Sequence, residues 1–334
     1  MNRFSNITLI VIGLILLGYI AGPKVRYDEP VFFDTESVVE AEDPEEWVAT
    51  QESLIDDLKP GNAAEIVWVD DSLKTITEYS VVYLHGFSAS HAEGDPVHRE
   101  FARRYGCNLY LSRLEDHGRS DPDSYKYMTP DSYIQSAEEA IEIGRKIGNK
   151  VIVMACSTGA TLATILAAQG ADIHALIFYS PNIDLENRTS NVVLYPWGKK
   201  VASLMMGGEY NRISYKAEAS AFWNEIYHTN GIFVVKNLIK RYMTKESFES
   251  ITQPVFLGYY FKNEKECDKV VSIPRMLDFY EQISTPASLK RKVAFDKVGH
   301  HVISSSIMSK DTDGVTRETN RFAEEILGLK PALE

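Results

Sequence analysis

The stretch KVIVMACSTGATLATILAAQG, from Lys150 to Gly170, decides the fold. Its first half is a β-branched run typical of a buried strand, and its second half is an alanine-rich run typical of a helix. Between them lies the pattern A-x-S-x-G, formed by Ala155, Ser157 and Gly159. A turn this sharp strains the backbone of the central serine and projects its hydroxyl above the sheet, while small residues on either side let strand and helix approach closely. The pattern predicts Ser157 as a nucleophile.

Short apolar runs recur on both sides of this stretch, as expected for strands that are covered on both faces. They lie at 108–112, 175–180, 254–260 and 291–295. Helical patterns that begin near Asp95-Pro96 and Thr129-Pro130 fill the gaps between them. This alternation predicts an α/β fold with a mainly parallel central sheet and helices on both faces. Before it, residues 64–86 read as two strands joined at a turn near Asp70, which predicts a leading antiparallel hairpin.

One connection is too long for a simple crossover between parallel strands. About 70 residues separate Asn182 from Pro254, where a dozen or more would suffice. The segment is rich in large apolar residues, most of which we expect to pack together while a few contact substrate. It predicts a helical lid over residues 183–252, inserted after strand six, with the core formed by 61–182 and 253–334.

The first 22 residues differ in kind from the rest. The run from Ile7 to Gly22 carries no charge, is slightly short for a span of about 20 residues, and is followed by no A-x-A cleavage triplet. We predict a membrane anchor in residues 1–22, or a signal segment that is cleaved on export. Residues 23–60 are predicted to form an acidic stem and an amphipathic helix in which Trp47, Leu54 and Leu58 share one face.

A serine nucleophile requires a histidine to accept its proton and a carboxylate to orient that histidine. The loop FKNEKECDKVVS, residues 261–272, follows an apolar strand and offers Glu264, Glu266 and Asp268. We favour Asp268, because it stands just before Lys269-Val270-Val271 and the following helix would fix its position, whereas the two glutamates lie in a charged stretch typical of solvated surface. Asp184, after the preceding strand, is the alternative.

The base is predicted in DKVGHHVISS, which follows the last strand and presents His300 and His301. Adjacent side chains point in different directions, so only one of the two can face the serine; we favour His301 and retain His300. Stabilising an oxyanion requires backbone N–H donors. The candidates are Thr158, just after the nucleophile, and Phe87, which follows a His-Gly turn.

Composition narrows the possible partners. The chain has 47 acidic and 35 basic residues and a net charge of -12, which would repel nucleic acid. Its three cysteines form no CxxC pair and no zinc-type spacing, and are interpreted as buried thiols. We therefore expect no metal, no cofactor and no nucleic-acid partner.

Several motifs occur together in a familiar order: HGFSAS, LEDHGRSD, ACSTG, DKVVS and VGHHVI. On these motifs the chain resembles the α/β-hydrolase family, especially its serine aminopeptidase and monoglyceride-lipase-like branch, from about Val81 to Leu329. The resemblance implies Ser157, Asp268 and one of the two histidines as a catalytic triad, with Phe87 and Thr158 as oxyanion donors. The alanine in the serine turn and the doubled histidine depart from the family pattern.

The expected function is that of a serine hydrolase that cleaves carboxylic esters, lipid-like or otherwise, through an acyl-enzyme. The fold does not by itself determine the substrate. A peptidase or amidase of the same fold is one alternative. A binding protein that has the fold without turnover is the other.

Overall fold

A central sheet determines where the functional loops lie. The structure, a computed structural model, describes residues 3–332, with the side chains of residues 11–14 and 16–332. In this part of the chain the strands form a seven-stranded sheet and a separate two-stranded sheet. In chain order they are β1 (Glu65–Val67), β2 (Thr77–Leu84), β3 (Asn108–Leu111), β4 (Gly148–Cys156), β5 (Ala175–Tyr179), β6 (Tyr210–Arg212), β7 (Ile226–His228), β8 (Val255–Tyr260) and β9 (Lys290–Phe295).

The large sheet has the strand order β1-β3-β2-β4-β5-β8-β9. Every neighbouring pair in it is parallel except the edge pair of β1 with β3. From β2 the chain first goes to β3 on one side, and then to β4 on the other. Loops that leave the carboxyl ends of strands at such a switch point diverge and border a crevice. The segments after β2 and β4 therefore lie beside the same crevice.

Helices cover both faces of this sheet, as predicted. Alternate residues of β2 point to opposite faces, so Val82 and Leu84 belong to one hydrophobic core while Val81 and Tyr83 belong to the other. The helices are α1 (Arg3–Ile20), α2 (Glu36–Glu40), α3 (Pro44–Ser53), α4 (Val97–Tyr105), α5 (Pro130–Ile147), α6 (Thr158–Ala168), α7 (Gly198–Met206), α8 (Ala217–Ser220), α9 (Asn230–Tyr242), α10 (Lys245–Glu249), α11 (Ile273–Gln282) and α12 (Thr312–Glu325). Helices α5, α6, α9, α10 and α11 contribute to the first core, and α4 and α12 to the second.

The beginning of the sheet differs from the prediction. The two strands on either side of the turn near Asp70 are β1 and β2, but β1 pairs antiparallel with β3, which lies between them. The predicted leading hairpin is therefore wrong. Pairing with β3 is specified by residues about 40 positions further along the chain, which a local turn signal does not reveal.

The long connection between β5 and β8 contains helices α7 to α10 and the two-stranded sheet of β6 and β7. It follows β5, the fifth strand of the chain, so its predicted place after strand six is wrong. Part of its apolar content forms a small core of its own around Val193, Ala202 and Phe233. The term insertion is used below for residues 183–252.

The N-terminal part of the chain contains helices α1, α2 and α3. In the range that the structure describes, no helix combines the length and apolar character needed to cross a membrane. The predicted anchor therefore has no support from the structure. Helix α3 forms within the predicted acidic stem and buries Val48. Leu54 and Leu58 both lie beyond its end, and Leu54 is exposed, so the predicted apolar face is wrong at those two positions.

Candidate active site

The turn between β4 and α6 has the strained geometry that the sequence predicts. Ser157 has φ 50° and ψ −116°, a region that a residue with a Cβ rarely occupies. Its N–H donates to the carbonyl of Tyr179 at 3.0 Å, and its own carbonyl accepts from Asn182 N–H at 3.0 Å. These bonds tie the strained residue to the end of β5. The side chain is 8% exposed and lines a cavity of about 440 Å³.

Gly159 and Ala155, the two small residues of the turn, are required to be small by different contacts. A Cβ placed on Gly159 would lie 2.1 Å from the carbonyl oxygen of Leu84, so only glycine lets α6 pack this closely on β2. Ala155 lies in the register of β4 between Leu84 and Phe178 and is fully buried. Its methyl group is accommodated in the core, which explains why alanine can replace the first glycine of the pattern.

The structure brings Asp268 and His301 together. Asp268 follows β8, and its Oδ1 accepts the N–H groups of Val270 at 2.8 Å and Val271 at 3.2 Å. Its Oδ2 accepts from His301 Nδ1 at 2.6 Å. Since Nδ1 donates this bond, the neutral ring presents Nε2 as its proton acceptor. His301 also lines the cavity that contains Ser157.

Charge and burial act in opposite directions on this pair. Burial works to raise the pKa of Asp268, but the His301 ring and the two N–H donors lower it below its ordinary value. Burial works to lower the pKa of His301, but the Asp268 carboxylate outweighs it, and the pKa is raised. The pair is therefore arranged to stabilise an imidazolium, as a histidine that accepts a proton from serine requires.

The other candidates for acid and base have different partners. His300 also lines the cavity, but its Nδ1 accepts from Val302 N–H at 3.0 Å instead of meeting a carboxylate. Glu264 and Glu266 are exposed, and Glu266 pairs with Lys262. Asp184 binds the ammonium group of the buried Lys236 at 2.9 Å.

The turn after β2 lies next to Ser157. His85 donates from Nδ1 to Gly86 O at 2.9 Å and accepts Leu114 N–H on Nε2 at 3.1 Å, which fixes the neutral tautomer. Burial lowers its pKa well below the ordinary value. A Cβ on Gly86 would lie 3.1 Å from the Cβ of Ser157, so the peptide of this turn closely approaches the serine.

The two predicted oxyanion donors follow β2 and β4, whose carboxyl ends pair Leu84 with Ala155. Both Phe87 and Thr158 line the cavity with Ser157. Within residues 3–332, no backbone acceptor pairs with the N–H group of either residue. Neither N–H group is therefore tied to the backbone of the described residues.

Most of the cavity is apolar. Its apolar lining comes from the turn after β2, the insertion and the loops after β8 and β9: Phe87, Leu185, Ile213, Tyr215, Trp223, Tyr227, Ile232, Val235, Val270, Val302 and Met308. In the described residues no group of three or more His, Cys, Asp or Glu side chains is arranged to hold a metal ion. Cys107 and Cys156 are buried as predicted, but Cys267 is partly exposed and does not fit that prediction.

The polar cavity residues Glu93 and Asn182 were missed by the sequence analysis. Glu93 is a carboxylate with 2% exposure on a single 3-10 turn, His91–Gly94. Asn182 is also buried, with its Nδ2 3.3 Å from Thr158 Oγ1. Glu93 lies in the polar stretch SASHAEGD, which is typical of an exposed loop, so no pattern in the sequence indicated its burial.

The fold and these converging loops define the class of protein, an α/β-hydrolase. Residues 76–304 match the family model described as serine aminopeptidase, S33. Because this match covers more than half of the chain, the protein belongs to that family. A search of curated proteins found no relative that matches the chain.

Solved structures show the same fold at low sequence identity. A structure from work on LipS and LipT, two metagenome-derived lipolytic enzymes, is 14% identical, has a TM-score of 0.63, and covers 79% of this chain and 98% of its own. A soluble variant of the monoglyceride lipase of Saccharomyces cerevisiae is 13% identical, has a TM-score of 0.59, and covers 78% of this chain and 90% of its own. The monoacylglycerol lipase of Paleococcus ferrophilus is 12% identical, has a TM-score of 0.56, and covers 78% and 98%. At these identities the likeness shows the fold alone.

Proposed function

We propose that the protein is a serine hydrolase that cleaves carboxylic esters through an acyl-enzyme on Ser157. One observation carries the proposal: a serine on a strained strand-to-helix turn and a histidine bonded to a buried aspartate line the same cavity. This combination of groups is the one that nucleophilic acyl transfer requires.

In the proposed reaction Ser157 Oγ attacks the ester carbonyl while His301 Nε2 takes the hydroxyl proton. Asp268 holds the ring by its Nδ1 and stabilises the imidazolium that forms. The N–H groups of Phe87 and Thr158 donate to the oxyanion of the tetrahedral intermediate. The imidazolium then protonates the leaving alcohol as the carbon–oxygen bond breaks. A water molecule, deprotonated by the same ring, releases the acid and restores the serine.

The lining of the cavity supports a substrate whose acyl group is apolar. Its volume of about 440 Å³ lies within the range of small-molecule sites, roughly 300 to 1,000 Å³. Trp223 and Tyr227 of the insertion contribute large apolar surfaces, and both are buried. We propose on this basis that the insertion acts as a lid, and that the substrates are lipid-like or other acyl esters.

An aminopeptidase or amidase is the second candidate, because Glu93 places a carboxylate in the cavity where a substrate ammonium group could be held. That carboxylate already accepts the N–H of Gly86. Among the described residues, the rest of the cavity lining is mostly apolar and offers no comparable group to hold a peptide, so we favour the ester.

The experiment compares hydrolysis of p-nitrophenyl esters of graded chain length with hydrolysis of aminoacyl p-nitroanilides. We expect turnover of the esters and none above background for the anilides. Ser157→Ala should abolish ester hydrolysis. Ser250→Ala, a change at an exposed serine on the insertion, should leave ester hydrolysis unchanged. Preferential turnover of the anilides would favour the peptidase. No turnover of either class by the folded protein would favour the binding protein.

We also propose that the segment before Pro23 directs the protein to a membrane or across it. The uncharged run from Ile7 to Gly22 supports this proposal. Cell fractionation combined with N-terminal sequencing would test it. Recovery of the full-length chain in the soluble fraction of the cell that makes it would contradict the proposal.

A further inference from the structure

The proposed reaction makes no use of Glu93, although this carboxylate is buried beside the nucleophile. Its Oε2 accepts Gly86 N–H at 2.5 Å and lies 3.4 Å from the hydroxyl of Tyr83. Its backbone is fixed as well, since its N–H donates to Ser90 O at 3.0 Å and its carbonyl accepts from Ser304 Oγ at 3.1 Å. A carboxylate buried in this way is costly unless its hydrogen bonds and neighbouring charges compensate.

Glu93 meets the turn that carries a proposed oxyanion donor. Gly86 lies between two groups: a Cβ on it would come within 2.8 Å of Glu93 Oε1 and 3.1 Å of Ser157 Cβ. The N–H that the carboxylate accepts belongs to the His85–Gly86 peptide, and the Gly86–Phe87 peptide that follows it carries the Phe87 N–H. Holding that N–H therefore restricts the orientation of the next one.

Glu93 also interacts with the base. Burial raises the pKa of Glu93 to about 7, while the Gly86 N–H and the charge of His301 act to lower it. In return the Glu93 charge adds to that of Asp268 in raising the pKa of His301. The titratable groups that face Glu93 are Tyr83 of β2, Cys156 of β4, Tyr133 of α5, Tyr215 of the insertion and His301 of the loop after β9.

We propose that Glu93 is a positioning residue, whose carboxylate holds the His85–Gly86 peptide by its N–H so that the following N–H, that of Phe87, is aimed at the oxyanion, and whose charge acts on His301. The inference rests on the proposed function of Ser157, because it assigns Glu93 a part in that same site. Glu93 itself does not touch the reacting atoms.

The two parts of this role are separable by substitution. Glu93→Gln retains an oxygen that can accept Gly86 N–H but removes the charge. Glu93→Asp retains the charge, but its shorter side chain draws the carboxylate away from Gly86. A hydrogen bond to an ionised acceptor is roughly twice as strong as one to a neutral acceptor. Both variants should therefore position the turn less well than the wild type.

The first test measures kcat and KM for a p-nitrophenyl ester between pH 5 and 9. For both variants we expect kcat to fall by about tenfold, less than the 10² to 10³ for complete loss of an oxyanion donor, with KM changed by less than about twofold. In Glu93→Gln the acid limb of the kcat/KM profile should also move to lower pH, because His301 loses a neighbouring negative charge. Glu100→Gln, a change at an exposed carboxylate on α4, is the control and should match the wild type.

A second measurement needs no turnover. The imidazole of His301 is titrated by NMR in Ser157→Ala, with and without Glu93→Gln. The added change should lower the His301 pKa, while Glu100→Gln should leave it unaltered. An unchanged His301 pKa together with an unchanged kcat in folded Glu93→Gln overturns the inference.

These results remain distinct from the fate of the proposed function. If the wild type hydrolyses esters in a reaction that requires Ser157, but the Glu93 variants have the same kinetics as the wild type, only the positioning role fails. If the wild type has no ester turnover, the proposed function fails. The His301 titration then still reports whether the two charges interact.

Discussion

Replacing Glu93 by glutamine should make the protein more stable above neutral pH, although the same change should make it a poorer catalyst. The pKa of the folded-state carboxyl is raised from 4.5 to about 7, with burial as the largest cause. A carboxyl with a raised pKa holds its proton more tightly in the folded than in the unfolded state. Its contribution to stability therefore falls as pH rises between those two values and is constant above them.

The size of the effect follows from the shift. At about 1.4 kcal/mol per pKa unit, ionising Glu93 costs the folded protein about 3 kcal/mol by pH 8.5. With an unfolding entropy of about 2.1 cal/mol/K per residue, this corresponds to about 4 °C in melting temperature for a chain of this length. Glutamine has nearly the same shape and no charge to bury, so it avoids this cost.

Urea unfolding of the wild type and of Glu93→Gln at pH 4.5, 6 and 8.5 would measure the difference. The variant's advantage should be small at pH 4.5 and grow to about 3 kcal/mol at pH 8.5, while Glu100→Gln should show no such growth. A difference between wild type and variant that does not change with pH would refute the reasoning. It would mean that the carboxyl titrates alike in the folded and unfolded chain.

Three further predictions concern the machinery around the serine. Asp268→Asn should lower kcat for esters by about 10⁴, because the asparagine stabilises the wrong tautomer of the ring, whereas Glu266→Gln on the same loop should leave steady-state rates unchanged. Gly159→Ala places a Cβ 2.1 Å from a backbone oxygen of β2; it should destabilise the protein by more than about 3 kcal/mol in urea unfolding, whereas Gly18→Ala, which meets nothing within 4 Å, should not. The raised pKa of His301 predicts that the acid limb of kcat/KM has its midpoint above pH 6.5, and a midpoint clearly below that value would contradict this assignment.

Local patterns were sufficient to predict the elements that carry the site. The strand-to-helix transition around Ser157 follows from a β-branched run that meets an alanine-rich run with small residues at the turn. Asp268 was preferred over its neighbours because the following helix was expected to fix its position. That helix begins only at Ile273, and the two N–H groups that bond the carboxylate belong to Val270 and Val271 in the bend before it. Such features depend on residues a few positions apart and are therefore visible in the sequence.

Features that depend on distant residues were not visible. The predicted hairpin failed because β3 inserts between β1 and β2, which is a long-range choice of partner. The burial of Glu93 involves residues far along the chain, such as Ser304, 211 residues later, and nothing in its local stretch distinguishes it from a surface glutamate. The choice between His300 and His301 was likewise decided by the position of Asp268, 33 residues earlier than His301.

Mass spectrometry of the protein after reaction with a fluorophosphonate tests the central claim most directly. The account predicts one phosphonyl adduct, on the peptide that contains Ser157, with no adduct on the same peptide of Ser157→Ala. An adduct on a different residue, or ester hydrolysis that persists in Ser157→Ala, would contradict it.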